Sequence, residues 1–222
     1  MLRAVIAVGL ALQAAAAAPA RCLGHLNHTY LLESVCFETI FSGADGLTLR
    51  EYSGANASAT LVSFNVSATQ IYQEALEMST FYVISYFAGE GNAANKSLVA
   101  ARTVPLVLRP PTREHNEWVS HMALAPSRFP PGSHAPAPKW DISLRPLGSV
   151  TLAVLHATLD QSPQPTDFDA LCSRVEAAVK KQLPAWAIDA ASPYSPSHAR
   201  FDSYEFYEGP FDIECWWGVK KV

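Results

Sequence analysis

The stretch from Val150 to Leu183 reads VTLAVLHATLDQSPQPTDFDALCSRVEAAVKKQL and contains both types of element from which the fold is built. Residues 150–159 are apolar on both alternating faces, which is typical of a central strand. Residues 166–183 place apolar side chains every three or four positions, which predicts a helix. Thr166 with Asp169 resembles a capping box at its start, and Pro184 ends it.

A first helix is predicted upstream, over residues 67–87, and Gly89-Glu90-Gly91 closes it. Its polar stripe is narrow and consists of Gln73, Glu77 and Thr80. A helix that is apolar around most of its circumference is buried on two sides, or contacts a ligand or a partner with the side that faces away from the core.

Strands are predicted elsewhere from apolar runs and from alternation of apolar and polar residues, over residues 47–52, 57–64, 98–108, 118–124, 140–145, 201–207 and 211–220. The last of these is expected to bury one face, with Cys215 pointing inward and Trp216 on the polar face as a candidate contact residue. The order of strands, helix, strands, helix and strands predicts an α+β fold.

The first 20 residues predict a cleaved secretory signal peptide, since a basic start is followed by a short apolar run and an exit of small residues. That run is shorter than the roughly 20 residues needed to span a bilayer, and no later segment is apolar over such a length. The chain is therefore expected to be secreted and extracellular, with no membrane span.

Four N-x-S/T sequons follow the signal peptide and predict N-glycosylation on exposed positions, at Asn27, Asn56, Asn65 and Asn95. The four cysteines in an oxidising compartment predict disulfides, with three possible pairings, and the favoured pairing joins Cys22 to Cys36 and Cys172 to Cys215. Residues 21–35 are then an N-terminal segment tied down by a disulfide. No cysteine or histidine spacing matches a metal site, so none is predicted.

Short sequence motifs between about residue 36 and residue 217 resemble those of the SOUL haem-binding protein family. That family carries an R-x-Y strand, a helix ending Y-I-x-G-x-N, an M-T-A-P-V strand, an F-x-P-P-x-P loop and a closing Y-N-x-P with N-E-V-W. The corresponding segments occur here in the same order, as Arg50-Glu51-Tyr52, Tyr86-Phe87-Ala88-Gly89-Glu90-Gly91-Asn92, Arg102-Thr103-Val104-Pro105-Leu106, Phe129-Pro130-Pro131 and Tyr207-Glu208-Gly209-Pro210 before Glu214-Cys215-Trp216.

The resemblance implies one SOUL-like domain over residues 36–222, folded as a distorted antiparallel β-barrel of two similar halves flanked by two helices. It implies non-enzymatic binding of haem, a related tetrapyrrole or another hydrophobic small molecule on an apolar surface that includes the first helix. The candidate binding residues on that helix are Ile71, Tyr72, Ala75, Leu76, Met78, Tyr82 and Tyr86.

Two departures from the family pattern bear on haem. Some members have a histidine, proposed as an iron ligand, where this chain has Glu51, and a carboxylate is a poor substitute for the usual axial ligands. No Lys or Arg occurs between Arg50 and Lys96, so the first helix supplies no cation to the propionates. His156, on a face with Leu152 and Val154, is the remaining candidate iron ligand, although a hydrogen-bonded core or rim histidine is the default reading.

Other classes of function are disfavoured. The formal charge of −4 and the absence of a basic stripe argue against nucleic-acid binding. No G-x-S-x-G, H-E-x-x-H or phosphate-binding glycine loop is present, so an enzyme is not expected. Two hypotheses remain: a secreted carrier of haem or a similar molecule, and an extracellular protein-interaction module on the same fold that has lost haem binding.

Overall fold

The computed structural model describes residues 22–23, 33–113, 116–201 and 210–222. The predicted signal peptide, the sequon at Asn27, most of the N-terminal segment and nearly all of the strand predicted over residues 201–207 lie outside the described residues.

Three helices and twelve strands are present in the described ranges. The helices are α1 (Gly54–Ala57), α2 (Tyr72–Ala88) and α3 (Pro165–Gln182). The strands are β1 (Cys22–Leu23), β2 (Glu33–Ser34), β3 (Glu38–Ser42), β4 (Thr48–Tyr52), β5 (Thr60–Ser67), β6 (Leu106–Arg109), β7 (Glu117–Ala123), β8 (Ile142–Pro146), β9 (Val150–Leu159), β10 (Trp186–Ile188), β11 (Ser197–Arg200) and β12 (Phe211–Lys221).

Ten of the strands form one antiparallel sheet in the order β3-β4-β9-β12-β11-β6-β7-β5-β8, with β10 paired to β12 outside this path. The predicted α+β class is therefore confirmed. Closure into a barrel is not seen, because the strands at the two ends of the path, β3 and β8, have no pairing to each other among the described residues. Both are edge strands in character: β3 is largely exposed, and β8 ends in Pro146.

Helices α2 and α3 lie on the same side of the sheet, which we call the helix face. Helix α2 packs on β5, β7 and β8, and α3 packs on β9, β10 and β12. The core between them is aliphatic and aromatic, and its largest fully buried side chains include Tyr86, Phe87 and Phe168.

The strand residues on the other side of the sheet form what we call the pocket face. Because side chains alternate along a strand, Val107 points to this face while its neighbours Leu106 and Leu108 belong to the helix-face core. A second, smaller apolar cluster covers the pocket face and includes Tyr52, Leu61, Val107, Leu152, Val154, Ala199 and Trp216.

Both long helices begin at residues other than those predicted. The N-cap of α3 is Gln164, two residues before the predicted Thr166, and Asp167 Oδ2 accepts a hydrogen bond of 2.8 Å from its N–H. Pro165 explains the shift, since proline is favoured at the first position of a helix. Helix α2 begins at Tyr72 rather than near residue 67, because β5 extends as far as Ser67. Its predicted end at Gly89 is confirmed by a left-handed φ of 108°.

The strand predictions fail in several places, and no predicted range covers the short strands β1, β2, β3 and β10. The run 98–108 is divided into a 3-10 turn, Val99–Ala101, and the short strand β6. Strand β11 (SHAR) was not predicted, since four residues give too short a pattern. Strand β12 buries both faces, so the predicted exposed face is wrong: Trp216 is buried.

Both favoured disulfides form, Cys22–Cys36 and Cys172–Cys215. The second joins α3 to β12 and holds the helix against the sheet. Two disulfides are consistent with an oxidising compartment. Within the described part of the chain, no helix is long and apolar enough to cross a membrane.

Candidate ligand-binding pocket

The pocket face contains a mainly apolar pocket. Strands β4, β5, β6, β7 and β12 supply seven of its fifteen lining residues, and most of the others come from the segments that connect the strands. Its lining residues are Ser34, Val35, Phe37, Arg50, Tyr52, Leu61, Thr103, Val104, Pro105, Val107, His121, Ala123, Leu147, Phe201 and Trp216. Ligand pockets typically combine apolar walls with a few polar groups. The pocket has this character.

A buried ion pair forms one side of the pocket. Arg50, on β4, donates two parallel hydrogen bonds of 2.7 and 2.8 Å to the carboxylate of Glu214 on β12. Trp216 Nε1 donates a third, of 2.7 Å, to the same carboxylate, and the Arg50 guanidinium lies 4.6 Å from the centre of the Phe37 ring. Glu214 is fully buried. The pair therefore presents the pocket with a neutralised surface rather than a free carboxylate.

Burial shapes the protonation of this side of the pocket. Desolvation tends to lower the pKa of Arg50, but the charge and hydrogen bonds of Glu214 outweigh it, so the pKa of Arg50 is raised. Desolvation also raises the pKa of the neighbouring Tyr52 phenol, an effect that the Arg50 charge only partly offsets. Arg50 is thus charged and Tyr52 neutral at physiological pH.

The opposite side of the pocket is different, because its polar group lacks partners. His121, on β7, is buried, and its Nε2 has no hydrogen-bond partner in the described ranges. Its Nδ1 lies 3.5 Å from Nη2 of Arg145, on β8. Burial, together with the charges of Arg145 and Arg109, lowers the pKa of His121 well below its ordinary value, so the imidazole is neutral.

A second, wider cavity shares Tyr52 and Leu147 with the first. It is more polar, and its wall includes Glu51 and Asp189.

The structure divides the binding residues that the sequence analysis proposed on the first helix. Four of them, Tyr72, Ala75, Leu76 and Tyr86, are buried in the helix-face core and offer almost no surface. Tyr82 is partly buried and stacks on Phe64 with ring centres 4.0 Å apart.

The remaining two, Ile71 and Met78, are exposed. None of the seven lies in the wall of the apolar pocket. The packing of α2 on β5, β7 and β8 accounts for this, because it turns the broad apolar side of the helix toward the sheet.

His156, the candidate iron ligand, lies on the pocket face as expected but at its rim. Its Nε2 is 2.8 Å from Oδ1 of Asp212, and its side chain is 35% exposed. It does not line the apolar pocket. Among the described residues, no group of three or more His, Cys, Asp or Glu side chains is placed to hold a metal ion.

The residues bear on haem in two ways. The lining offers apolar contact to a hydrophobic ligand. It offers no evident axial ligand, since the Nε2 of His156 is engaged by Asp212 and that of His121 is fully buried. Glu51, which replaces the histidine of some SOUL proteins, borders the second cavity and not the apolar pocket. The described residues therefore offer apolar contact and do not fit iron ligation.

Three of the predicted glycosylation sites can be located. Asn65 and Asn95 are exposed, and Asn56 is partly exposed. Asn65 Nδ2 donates a 3.0 Å hydrogen bond to Glu117, and Lys139 Nζ donates one of 2.5 Å to Asn95 Oδ1. Occupancy at these sites stays a prediction.

The sequence analysis missed Glu214, His121, Arg109 and Arg145. These residues come from four different strands and meet only after folding; Arg50 and Glu214, for example, are 164 positions apart. The one local signal was a charged residue at an otherwise alternating strand position, which predicts exposure more often than pairing.

Comparison with known proteins gives structural similarity only. No family model matches the chain, and no curated protein matches it. The C-terminal domain of EcmrR is similar in structure, with a TM-score of 0.51 and 13% sequence identity over 79% of this chain and 98% of that chain. SAV2435, solved bound to tetraphenylphosphonium, has a TM-score of 0.43 and 16% identity over 78% and 93% of the two chains. At this identity, the likeness to EcmrR concerns the fold alone.

Proposed function

We propose that this chain is a secreted, non-enzymatic binding protein of the SOUL type, which takes up haem, a related tetrapyrrole or another hydrophobic small molecule. The single observation that carries the proposal is the apolar lining of the pocket on the pocket face. The resemblance of the sequence to the SOUL family between about residue 36 and residue 217 supports it.

The site of binding is the pocket rather than the first helix. The pocket offers unoccupied apolar surface, whereas four of the seven helix residues are already packed in the core. Burial of one ring face against this wall contributes about 25 cal/mol per Å², less the cost of immobilising the ligand. We expect an affinity of roughly micromolar, without iron ligation.

The chain's own residues do three things in this proposal. The apolar wall excludes water from the ligand. The pair of Arg50 and Glu214, held by Trp216, fixes β4 against β12 and keeps that wall rigid. The disulfide between Cys172 and Cys215 anchors β12 from the opposite face of the sheet. When haem is bound, it would supply only its apolar surface and propionates, since none of the described residues is placed to ligate the iron.

The test is a Soret titration of the purified glycosylated protein with haemin. A saturable shift with roughly micromolar affinity is expected. Ala123→Leu, which adds volume to the pocket wall, should weaken binding about tenfold or more, since an overfilled wall excludes the ring. Ala170→Leu, an exposed site on α3, is the matched control and should bind like the parent protein.

Two further variants separate the pocket from an iron ligand. His156→Ala and Glu51→Ala should leave the titration unchanged. Loss of the Soret shift in His156→Ala, with an intact shift in Ala123→Leu, would place the ligand at the rim. No shift in the parent protein at tens of micromolar would contradict the carrier proposal for haem.

The second candidate function, an extracellular protein-interaction module, is favoured by a different observation. Four large apolar side chains on or near α2 are exposed: Ile71 (65%), Met78 (40%), Phe81 (59%) and Trp140 (53%). Tyr82 contacts both rings edge-on, with centres 5.4 Å from Phe81 and 5.7 Å from Trp140. Such grouping of large apolar side chains marks interaction surfaces in many proteins. A protein without a Soret shift would leave this reading as the better one.

A further inference from the structure

Three polar side chains stand together on the pocket face beside the apolar pocket. Arg109 ends β6, His121 lies in β7, and Arg145 lies in β8. The register brings them together: Val107 pairs with His121, Arg109 is two residues further along β6, and Arg145 on β8 is opposite Leu61, which pairs with Ala123.

Two of the three side chains are buried with donor atoms that no described residue accepts from. Arg109 is only 4% exposed, and neither its Nε nor its Nη1 has a hydrogen-bond partner within the described ranges. The buried Nε2 of His121 likewise has no hydrogen-bond partner among the described residues. Buried polar groups are normally hydrogen-bonded, because desolvation without a partner is costly.

The unsatisfied groups are all donors. Arginine has no acceptor, so the contact of 3.5 Å between Arg145 Nη2 and His121 Nδ1 requires Nδ1 to accept. The proton of the neutral imidazole then resides on Nε2. Arg145 also donates from Nε to Ser63 Oγ, at 3.2 Å, and is partly exposed. The cluster therefore offers donors to a missing acceptor.

The charge of the cluster is positive and also favours an anionic acceptor. Arg109 and Arg145 contribute two positive charges, and Glu117 is the carboxylate that acts on Arg109. Glu117 is itself hydrogen-bonded by Asn65, at 3.0 Å. Burial, with the charge of Arg145 adding to it, lowers the pKa of Arg109 despite Glu117. An anion placed here would relieve both the unpaired donors and the excess charge.

We propose that Arg109, His121 and Arg145 bind the carboxylate of an amphipathic ligand whose apolar body lies in the adjoining pocket. His121 belongs to both sites, because it lines the apolar pocket and contacts Arg145. This inference rests on the proposed function and narrows it: the ligand class is an apolar acid rather than a neutral or cationic molecule. The cluster also supplies the cations that the first helix lacks.

The experiment compares an acid with its own ester. Protoporphyrin IX and its dimethyl ester differ only at the carboxylates, and each is titrated into the full glycosylated chain by fluorescence. The acid should bind about tenfold or more tightly than the ester, since hydrogen bonds to charged groups are worth roughly that factor. Arg145→Gln and Arg109→Gln should close this gap by weakening the binding of the acid. Arg128→Gln, an exposed site with the same change in charge, is the matched control.

A second measurement separates a binding role from a structural one. Arg109→Met removes a buried guanidinium that has unsatisfied donors, so the melting temperature of the ligand-free protein should be unchanged or higher. A merely structural arginine would lower it on removal. Arg109→Lys should retain part of the preference for the acid.

The outcomes distinguish the two proposals. Equal affinity for acid and ester overturns the carboxylate site and leaves the pocket proposal standing. If neither porphyrin binds, the proposed function fails for tetrapyrroles. Titrations with laurate and with methyl laurate then decide the carboxylate site. Tryptophan fluorescence monitors both titrations, because Trp216 lines the pocket. Binding of laurate over its ester supports the site, and binding of neither overturns it.

Discussion

On the helix face, α2 and α3 cover a core of aliphatic and aromatic side chains. On the pocket face, the same strands bury the ion pair of Arg50 and Glu214, together with Arg109 and His121. One sheet thus has one side filled with its own side chains and another that keeps charge and empty volume. Buried polar groups seldom stabilise a fold more than apolar packing does. The helix face therefore stabilises the fold by apolar packing, and the proposed binding site lies on the pocket face.

The comparison would break most visibly at the buried ion pair. Glu214→Gln leaves the Arg50 charge buried without its partner and should lower the free energy of unfolding by about 3–5 kcal/mol. Chemical denaturation measures the loss. The control is Glu176→Gln, because Glu176 forms an exposed pair with Lys180. That change should alter stability by about 0.5 kcal/mol or less. Similar losses at both positions would show that burial does not matter to the pair.

The next largest effect contrasts two positions of α2. Leu76 is buried in the helix-face core, and Leu76→Ala should cost about 2–5 kcal/mol of unfolding free energy. Met78, two residues on, is exposed, and Met78→Ala should change stability by about 0.5 kcal/mol or less. Neither change should alter the affinity for haemin. A weaker Soret titration in Met78→Ala would return the binding site to the first helix.

Leu76 and Met78 also show which features of the structure can be predicted from the sequence. Local periodicity located both long helices and the strands at 150–159 and 211–220, because each pattern is decided by neighbours within a few residues. The same periodicity marked α2 as apolar around most of its circumference but could not say which side meets a ligand. Only the packing of α2 on β5, β7 and β8 decides that.

The pocket could not be predicted for a related reason. Asp212, Glu214 and Trp216 alternate with apolar residues, a pattern that ordinarily indicates a solvent-facing side of a strand. They are buried because β12 is central in the sheet and its charged residues meet partners from distant strands. Arg109 and Arg145 lie downstream of α2 in the sequence, and only the pairing of β6 and β8 into the sheet brings them to the pocket face.

The pH dependence of stability tests a titratable group on the helix face. His198 stacks on Phe168 with ring centres 4.6 Å apart, and burial lowers its pKa to about 4. Below the ordinary pKa of 6.5, the unfolded chain takes up a proton that the folded chain refuses. Stability from this group is therefore complete above about pH 6.5 and lost as the pH falls toward 4, by about 3 kcal/mol.

Denaturation between pH 7 and pH 4 measures this effect. His198→Gln should reduce the loss of stability across that range, whereas His134→Gln, at an exposed site, should not. A parent protein and a His198→Gln variant with the same pH dependence would show that His198 titrates normally in the folded state.

The smallest change in stability is expected at Ile71. At this one position, an effect on the stability of α2 can be distinguished from an effect on ligand binding. Ile71 is the N-cap of α2, with φ −74° and ψ 162°, and it is 65% exposed. Isoleucine cannot cap a helix, whereas a serine oxygen accepts a hydrogen bond from the first-turn N–H groups. Ile71→Ser should therefore raise the free energy of unfolding by about 0.5–1 kcal/mol, and Ile71→Ala should not. Haemin binding should be unchanged in both, because Ile71 lies outside the pocket wall. A serine variant that is more stable but binds haemin less tightly would show that the exposed side of α2 takes part in binding, and the division between the two faces would then be wrong.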